Sequence, residues 1–582
     1  MTKDTITNLI KKALADLGFN TEAASFTVEH PDDLSHGDYA TNVALVLSKI
    51  AKKSPVELAR NLVEKINQIN QTAKETLVSK VEVAGPGFIN FYLVPEFFAS
   101  QTKEIRKRGK KFGQNKIQRG QKFFIEHTQP NPFKEFHIGH LMNNAIGESV
   151  TRIIKAQGAK VRTATYHGDV GLHVAKTIWA ILKKGQTLGN VGAAYAAGSQ
   201  YYETDEVAKK EIVEINKKIY DKSDGEINKI YKQGRKESFA HFESLYARLG
   251  SDFDYHFYEK DAAKVGQKIV TEKIAEGVFE KSEGAVVFRG EKFGRHTRVF
   301  INSEGIPTYE TKEIGLAKIK SKKFNYNHSV TVTANEQDSF FDVVEVAIGE
   351  VYPNLKGQLK HLSHGMLKLP SGKMSSRTGQ VISAESLIDK VGTAVLEKMA
   401  ERDLSQADKK EISEMISLGA IKYSILKQAI GSDIIFDFDK SISFEGDSGP
   451  YLQYSCVRAG SILQKAKEER IRAGERRGAN PSANANPSAN AASQNGEKIY
   501  NLEKLLYRFP EIVERAGREY APHYLALYLT ELASEFSSFY AQGKIVDKTD
   551  PDSPYKIAVT EAFLTVMKNG LDLLGIQVPK RM

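Results

Sequence analysis

A single cysteine, Cys456, stands in a chain of 582 residues. It excludes an intrachain disulfide and any cysteine-based zinc site. No run of about 18 apolar residues occurs, so no membrane-spanning helix is expected. The opening residues, Met1-Thr2-Lys3-Asp4, lack a basic-then-apolar signal pattern, and a cytoplasmic location is the expectation. No Ser-His-Asp or Cys-His nucleophile set stands out, nor any dedicated metal cage. Cations are in excess: 82 Lys and Arg against 72 Asp and Glu give a net charge of +10. That balance favours a polyanionic partner, because Lys and Arg contacts to phosphate release counterions. The hydrophobic fraction of 41% and charged fraction of 26% are those of a globular protein. The length suits about three or four domains.

Residues 1–112 read as an α+β domain. Ile6, Leu9, Ile10, Ala13 and Leu17 recur at helical spacing, and a second helix is expected from Ala40 to Lys53. Lys80 to Leu93 reads as strand, Gly85-Pro86-Gly87 turn and strand. Residues 113–388 read as α/β with an inserted helical stretch at about 190–300, closing on a glycine-rich hairpin from Gly284 to Phe300. Phe123 to Ile125, Leu141 to Ala156 and Val161 to Tyr166 form strand, helix and strand, the seed of a nucleotide-binding parallel sheet. Residues 389–445 continue as a helical connection, and 446–582 as a helix bundle with an apolar stripe from Tyr524 to Tyr540. The bundle is interrupted at 474–496, where Ala479-Asn480-Pro481-Ser482-Ala483-Asn484 repeats at once. This tract has no large apolar residue to offset its ordering entropy and is expected to be a disordered insertion.

Two short segments carry the chemistry. His137-Ile138-Gly139-His140 follows the first strand and opens a helix, where free backbone N–H groups attract phosphate. Gly139 lets a flat nucleotide approach the backbone. His137 and His140 are three apart and can both donate hydrogen bonds to phosphate oxygens as charge develops, each worth roughly 2.7–4 kcal/mol in comparable sites. Two histidines near a turn also fit packing and capping. Far downstream, Lys373-Met374-Ser375-Ser376-Arg377 lies between Gly372 and Gly379 in a segment that reads as a mobile loop. A cation delivered by loop closure lowers a barrier most if it engages only as the leaving group gains charge. Together the segments suit holding ATP while a carboxylate attacks its α-phosphorus.

These segments, in this order, resemble the HIGH and KMSKS signatures of class I aminoacyl-tRNA synthetases. The run Ile125 to Leu141, including Glu126-His127-Thr128-Gln129-Pro130-Asn131-Pro132-Phe133-Lys134, is similar to the arginyl members. So are His36 to Asn42, Val83 to Asn90, Gly446 to Tyr454 and the ending Leu574 to Met582. The resemblance covers nearly the whole chain and implies a Rossmann-type catalytic domain, an N-terminal α+β domain gripping the tRNA elbow, and a helical anticodon-binding domain. It implies ATP with Mg2+, L-arginine and tRNA(Arg) as partners, a monomer, and no zinc. Catalytic groups carried over are His137, His140, Lys373 and Arg377, with Lys134 supplying the charge missing where Ser376 stands. ATP would meet His137, Gly139, His140, Gly168, Asp169, Met366, Lys373, Met374 and Ser375. Arginine would meet Glu126, Asn131 and His137 with its backbone, and Tyr309, Glu313 and Gln337 with its side chain. Asn42 and Phe88 are the tRNA residues implied in the N-terminal domain.

A guanidinium pocket needs a carboxylate, further acceptors and an aromatic wall. Tyr309 and Glu313 are four apart and share a helix face. Gln337 ends an expected strand, where ligands of an open parallel sheet bind. Taken singly, Tyr309 fits the core as well as a ligand, Glu313 among Lys312, Lys318 and Lys320 fits a surface ion pair, and Asn42 and Phe88 fit capping and core packing. The chain departs from the family in two places: Glu313 replaces the usual aspartate, and Val170 in Gly168-Asp169-Val170-Gly171 replaces the usual tryptophan. Two alternatives remain. One is a class I synthetase for glutamate, glutamine or cysteine, disfavoured by the lack of a Cys/His zinc set and by Glu313. The other is a non-catalytic tRNA-binding descendant.

Overall fold

The computed structural model describes residues 2–20, 25–72, 77–369, 372–373, 383–476 and 499–582. The chain divides into two compact units, Met1–Phe112 with Arg458–Phe509 and Ser534–Val566, and Gly113–Val457 with Pro510–Ala533 and Met567–Met582. The architecture is an N-terminal α+β region, a parallel-sheet region and a largely helical C-terminal region.

In the first unit, strands Val28–Glu29, Tyr39–Thr41, Phe88–Leu93 and Val78–Ala84 form an antiparallel sheet in that order. Ala84 pairs with Phe88 across the turn, and Gly85 (φ 51°) and Gly87 (φ 126°) adopt the left-handed region that favours glycine. Helices Thr2–Asp16 and Pro55–Gln71 bury Ile6, Ile10, Leu58, Leu62 and Ile66 in one core with Phe91. Two expectations shift here. The second helix is Val43–Ala51, shorter than Ala40 to Lys53, because Tyr39–Thr41 is drawn into the sheet by pairing with Ile89–Phe91. Leu17 lies beyond the first helix and is exposed. The insertion expected at 474–496 lies outside the described residues from 477 onward. Its first residues are built in: Gly474 donates its N–H to Pro554, and buried Arg476 pairs with Glu503 at 2.5 Å, which also accepts the Tyr555 hydroxyl.

The second unit is built on five parallel strands: β1 (Lys122–Glu126), β2 (Lys160–His167), β3 (Tyr255–Tyr258), β4 (His328–Ala334) and β5 (Leu359–His364). Their order is β5-β4-β1-β2-β3. Phe123, Phe124 and Ile125 are all buried, as a parallel strand covered on both faces requires. The order reverses between β1 and β4, and the ligand crevice of such a sheet opens there, beyond the strands' C-terminal ends. Helix α1 (Ile138–Ala156) connects β1 to β2. The stretch expected as a helical insertion at about 190–300 is helical to Leu249 and again over Glu259–Glu272, but not throughout. It also supplies β3 to the central sheet and the antiparallel strands Glu280–Ser282, Ala285–Phe288 and Arg298–Ile301, which contain the expected hairpin. The aromatic stripe falls on helix His523–Ala541, where Tyr528, Leu529, Leu532, Phe536 and Phe539 are buried and Tyr540 is exposed.

Helices α2 (Glu259–Glu272) and α3 (Tyr309–Lys323) approach unusually closely. A Cβ on Gly266 would lie 1.9 Å from the Thr311 carbonyl oxygen, and one on Gly315 would lie 2.0 Å from that of Ala262. Gly266→Ala must therefore push the helices apart. The expected destabilisation is about 1–3 kcal/mol, measured as a lowered urea midpoint; an unchanged midpoint would show that the crossing is not tight.

Candidate active site

The loop from β1 to α1 is held in a costly conformation. Thr128 (φ 75°), Gln129 (φ 54°) and Phe133 (φ 65°) occupy the left-handed region without being glycine, each at a cost of about 1–3 kcal/mol. Surrounding groups enforce it. Thr165 accepts the Gln129 N–H at 3.2 Å, and the His167 ring bonds the Pro130 carbonyl at 2.7 Å. Ser238 accepts the Phe133 N–H at 3.2 Å, and Thr177 donates to its carbonyl at 3.0 Å. Asn131 is fixed too, its Oδ1 accepting the Gly168 N–H at 2.9 Å.

The two histidines form a cap at the start of α1. His137 Nδ1 accepts the Gly139 N–H at 3.1 Å, and His140 Nδ1 accepts the His137 N–H at 3.2 Å. Their rings stack with centroids 3.6 Å apart. Because each Nδ1 accepts, the network assigns the proton to each Nε2, leaving Nε2–H as the outward donor. Burial pushes His137 down to about 4 and His140 well below its usual range, with Lys134 adding to both. Both imidazoles are neutral at pH 7. A Cβ on Gly139 would lie 3.0 Å from His137 Cε1, so this glycine also makes room for the cap. Lys134 lies over the Tyr195 ring at 4.6 Å from its centroid.

The chain just past the second signature reaches the first. Ser383 forms an antiparallel bridge with His137, and Ala384 donates its N–H to the Phe136 carbonyl at 2.9 Å. On the near side, His364 Nε2 bonds Asn143 Oδ1 of α1 at 2.5 Å, and the backbone of Lys373 pairs with Lys368. The Lys373 side chain and the expected Met374, Ser375 and Arg377 lie outside the described residues. Met366 is exposed.

Of the remaining sequence-expected residues, Glu126 and Glu313 meet around Lys320 beside the crevice between β1 and β4. Glu126 is buried at the end of β1, accepting from Gln129 at 2.8 Å and pairing with buried Lys320 at 3.2 Å. Glu313 is no surface ion pair. It lines a cavity of about 10 Å³ with Lys320, Tyr326 and His361, too small for more than one water. Burial and the Glu126 carboxylate push its carboxyl up to about 8, against the pull of Lys320. Tyr309 is 63% exposed and so is not a core residue. Gln337 is exposed and follows β4 by one 3-10 turn. Asp169 is buried and committed internally, to Arg235 at 3.1 Å and to the Lys260 N–H at 3.3 Å. Val170 is buried with Phe133 and Trp179. A wider cleft of about 540 Å³, lined by Asp338, Asp342, Glu345 and Tyr520, holds none of the expected residues. In the first unit, Asn42 begins helix Val43–Ala51, but its Oδ1 accepts the Thr27 N–H at 2.8 Å instead of capping, and Phe88 is 40% exposed rather than core.

Comparison with known proteins decides the family. Residues 101–438 match the model for tRNA synthetases class I (R), catalytic domain. The chain belongs to the class I arginyl-tRNA synthetase family. Residues 4–93 match the arginyl tRNA synthetase N terminal domain and 452–582 the DALR anticodon binding domain. Arginine--tRNA ligase of Thermococcus sibiricus is 30% identical, over 99% of this chain and 98% of its own. That of Borrelia hermsii is 28% identical, over 100% and 98%. The solved arginyl-tRNA synthetases of Thermus thermophilus (TM-score 0.73, 23% identity, all of both chains) and Plasmodium falciparum (TM-score 0.77, 18% identity, 100% and 99%) share the fold.

Within this arginyl-tRNA synthetase framework, sequence reasoning missed Glu259. It starts α2 directly after β3 and is buried, paired with Lys312 at 2.6 Å. Its other oxygen lies beside Asn131 Oδ1, where a Cβ on Gly168 would meet both at 3.1 and 2.7 Å. The only signal was its position just past an aromatic strand that had been read as part of an insertion.

Burial holds the rings of His127, His167 and His173 down to about 3 and His137 to about 4. Unfolded histidine takes up a proton near 6.5, so below that pH the unfolded state binds protons the native state refuses. Stability is therefore lost as pH falls through 6.5, by roughly 1.4 kcal/mol per imidazole per pH unit. Glu313, raised to about 8, opposes, and Glu259, Asp169 and Glu503, also raised by burial, act in the same direction as Glu313. The urea midpoint should be clearly lower at pH 5.5 than at pH 7.5; equal midpoints would mean the rings are not buried neutral.

Proposed function

We infer that the chain is an arginine–tRNA ligase, on one carrying observation: Ser383, ten residues past Lys373, bridges to His137, so the chain leaving the lysine-bearing segment arrives at the histidine cap. The arginine carboxylate attacks the α-phosphorus of ATP, the α–β bridging bond breaks, and arginyl-adenylate and pyrophosphate form. The terminal ribose hydroxyl of tRNA(Arg) then attacks the adenylate carbonyl, releasing AMP. Catalysis is positioning and charge stabilisation. His137 and His140 donate through Nε2 to phosphate oxygens, the N-terminus of α1 adds its partial positive charge, and Lys134, Lys373 and Arg377 neutralise the leaving pyrophosphate. Gly168, Met366, Met374 and Ser375 contribute to the nucleotide's seat, with Asp169 holding the Gly168 loop from behind. Magnesium enters with ATP; among the described residues no His, Cys, Asp or Glu cluster forms a metal cage.

Asn131 and Glu126 receive the arginine backbone. Its guanidinium meets Glu259 and Glu313, with Tyr309 and Gln337 at the mouth. Among the described charges of the pocket, three carboxylates (Glu126, Glu259, Glu313) face two lysines (Lys312, Lys320), and a fixed cation makes up the difference. The basic chain binds tRNA(Arg) through the helical C-terminal region and, in the first unit, Asn42 and Phe88. The monomer and the cytoplasmic location expected from sequence belong to the same proposal.

Arginine-dependent pyrophosphate exchange and tRNA charging test this directly. His140→Ala should lower kcat roughly 100- to 1,000-fold, and Lys373→Ala should lower it too; unchanged charging in either would overturn the assignment, and charging with another amino acid would move the chain to a different specificity. A second test concerns Glu313. Its carboxyl holds a proton below about 8 in the empty pocket, and a guanidinium expels it. Arginine binding at pH 7 should release up to one proton, read by calorimetry in buffers of different ionisation enthalpy, and affinity should rise from pH 6 to 8. Glu313→Gln should abolish the release; its persistence would place the proton elsewhere.

A further inference from the structure

Lys312 is buried on α3 between the two carboxylates that line the guanidinium side of the crevice, and no role in the reaction has been assigned to it. Its ammonium lies 2.6 Å from Glu259 Oε2 and 4.5 Å from the centre of the Tyr309 ring. Glu259 therefore has one oxygen engaged by the chain and the other beside Asn131 and Gly168, where the incoming amino acid would lie. α2 and α3 cross closely, Gly266 against Thr311 and Gly315 against Ala262, and the Lys312 side chain spans from the first turn of α3 to Glu259 at the start of α2.

We propose that Lys312 is a positioning residue that keeps Glu259 charged and turns its second oxygen toward Asn131 and Gly168, and so sets the affinity of the pocket for a permanently charged side chain. This rests on the reading of the crevice as the arginine site. The physical reason is desolvation. A buried carboxylate without a partner takes up a proton, and a neutral carboxylic acid offers a guanidinium no ion pair. Burial already raises Glu259, and Lys312 is the largest influence in the opposite direction. The other titratable groups facing Glu259 cannot replace it. Asp169, Glu313, Tyr166, Tyr220 and Tyr309 are anionic or neutral, and Lys134, which also lowers Glu259, acts more weakly and lies over Tyr195.

The test is steady-state charging by the full-length enzyme, comparing wild type, Lys312→Met, Lys312→Arg and Glu259→Gln, each also in a Glu313→Gln background to separate the titration of Glu313. Lys312→Met should raise the KM for arginine at least tenfold at pH 7 while kcat and the KM for ATP change less than threefold. The deficit should shrink as pH is raised from 7 to 8.5, because higher pH favours the charged carboxylate that Lys312 otherwise favours, and Lys312→Arg should restore most of the loss. An unchanged arginine KM, or a rise equal at every pH, would overturn the proposal and leave Lys312 a packing residue. Should Lys312→Met fail to fold, Lys312→Arg and Lys312→Gln decide in the same way: a pH-dependent loss in Gln and not in Arg supports it, and equal loss in both overturns it. If Glu259→Gln leaves the arginine KM unchanged, the underlying reading of the crevice is what fails, whatever Lys312 does.

Discussion

Two buried carboxylates, Glu126 and Glu259, and the half-buried Glu313 share two buried lysines, and this is the constraint around which the catalytic unit is arranged. Taking a carboxylate out of water costs several kcal/mol, and removing one partner of a buried pair typically costs about 3–5 kcal/mol. The fold accepts this because each group is delivered by a rigid element: Glu126 by the end of β1, Glu259 by the start of α2, and Glu313, Lys312 and Lys320 by α3. The close packing of α2 on α3 sets the geometry of one pair, and the pairing of β1 with β4 sets the floor beneath the other. The result is a crevice at the switch point of a parallel sheet with room in its electrostatics for one more cation.

The nucleotide side follows a different logic. There the chain offers neutral donors instead of ion pairs. His137 and His140 are oriented by backbone N–H groups of the same helix turn, so their outward protons need no reorganisation when charge develops nearby. Burial keeps them uncharged, which avoids placing cations against the positive end of α1. In the proposed mechanism permanent cations are left to Lys134 and Lys373.

Much of this was legible in the sequence because it is local. A strand, a turn and a helix start lie together in Ile125 to Leu141, and glycines flank the second segment. What was illegible depends on long-range geometry. Glu259 looked like one more charge in a charged stretch, because nothing local shows that β3 joins the central sheet. Glu313 looked like a surface residue among lysines, because burial of α3 on several sides gives it no clear amphipathic pattern; Lys312 and Lys320 are themselves buried. Ala40 and Thr41 have helix-compatible neighbours, and only pairing with Ile89–Phe91 makes them strand. Arg476 sits at the edge of a low-complexity tract, and its partners Glu503 and Tyr555 come from elsewhere in the chain. The departure at Val170 is absorbed by packing with Phe133 and Trp179.

The left-handed backbone at Thr128, Gln129 and Phe133 has a consequence for how the molecule comes apart. That loop is a loaded spring held by straps from Thr165, His167, Thr177 and Ser238. Thr128, Pro130, Pro132 and Phe133 are buried, so the strain is released only when the straps and this packing give way together. In denaturant this loop should therefore open with the core around it, not ahead of it.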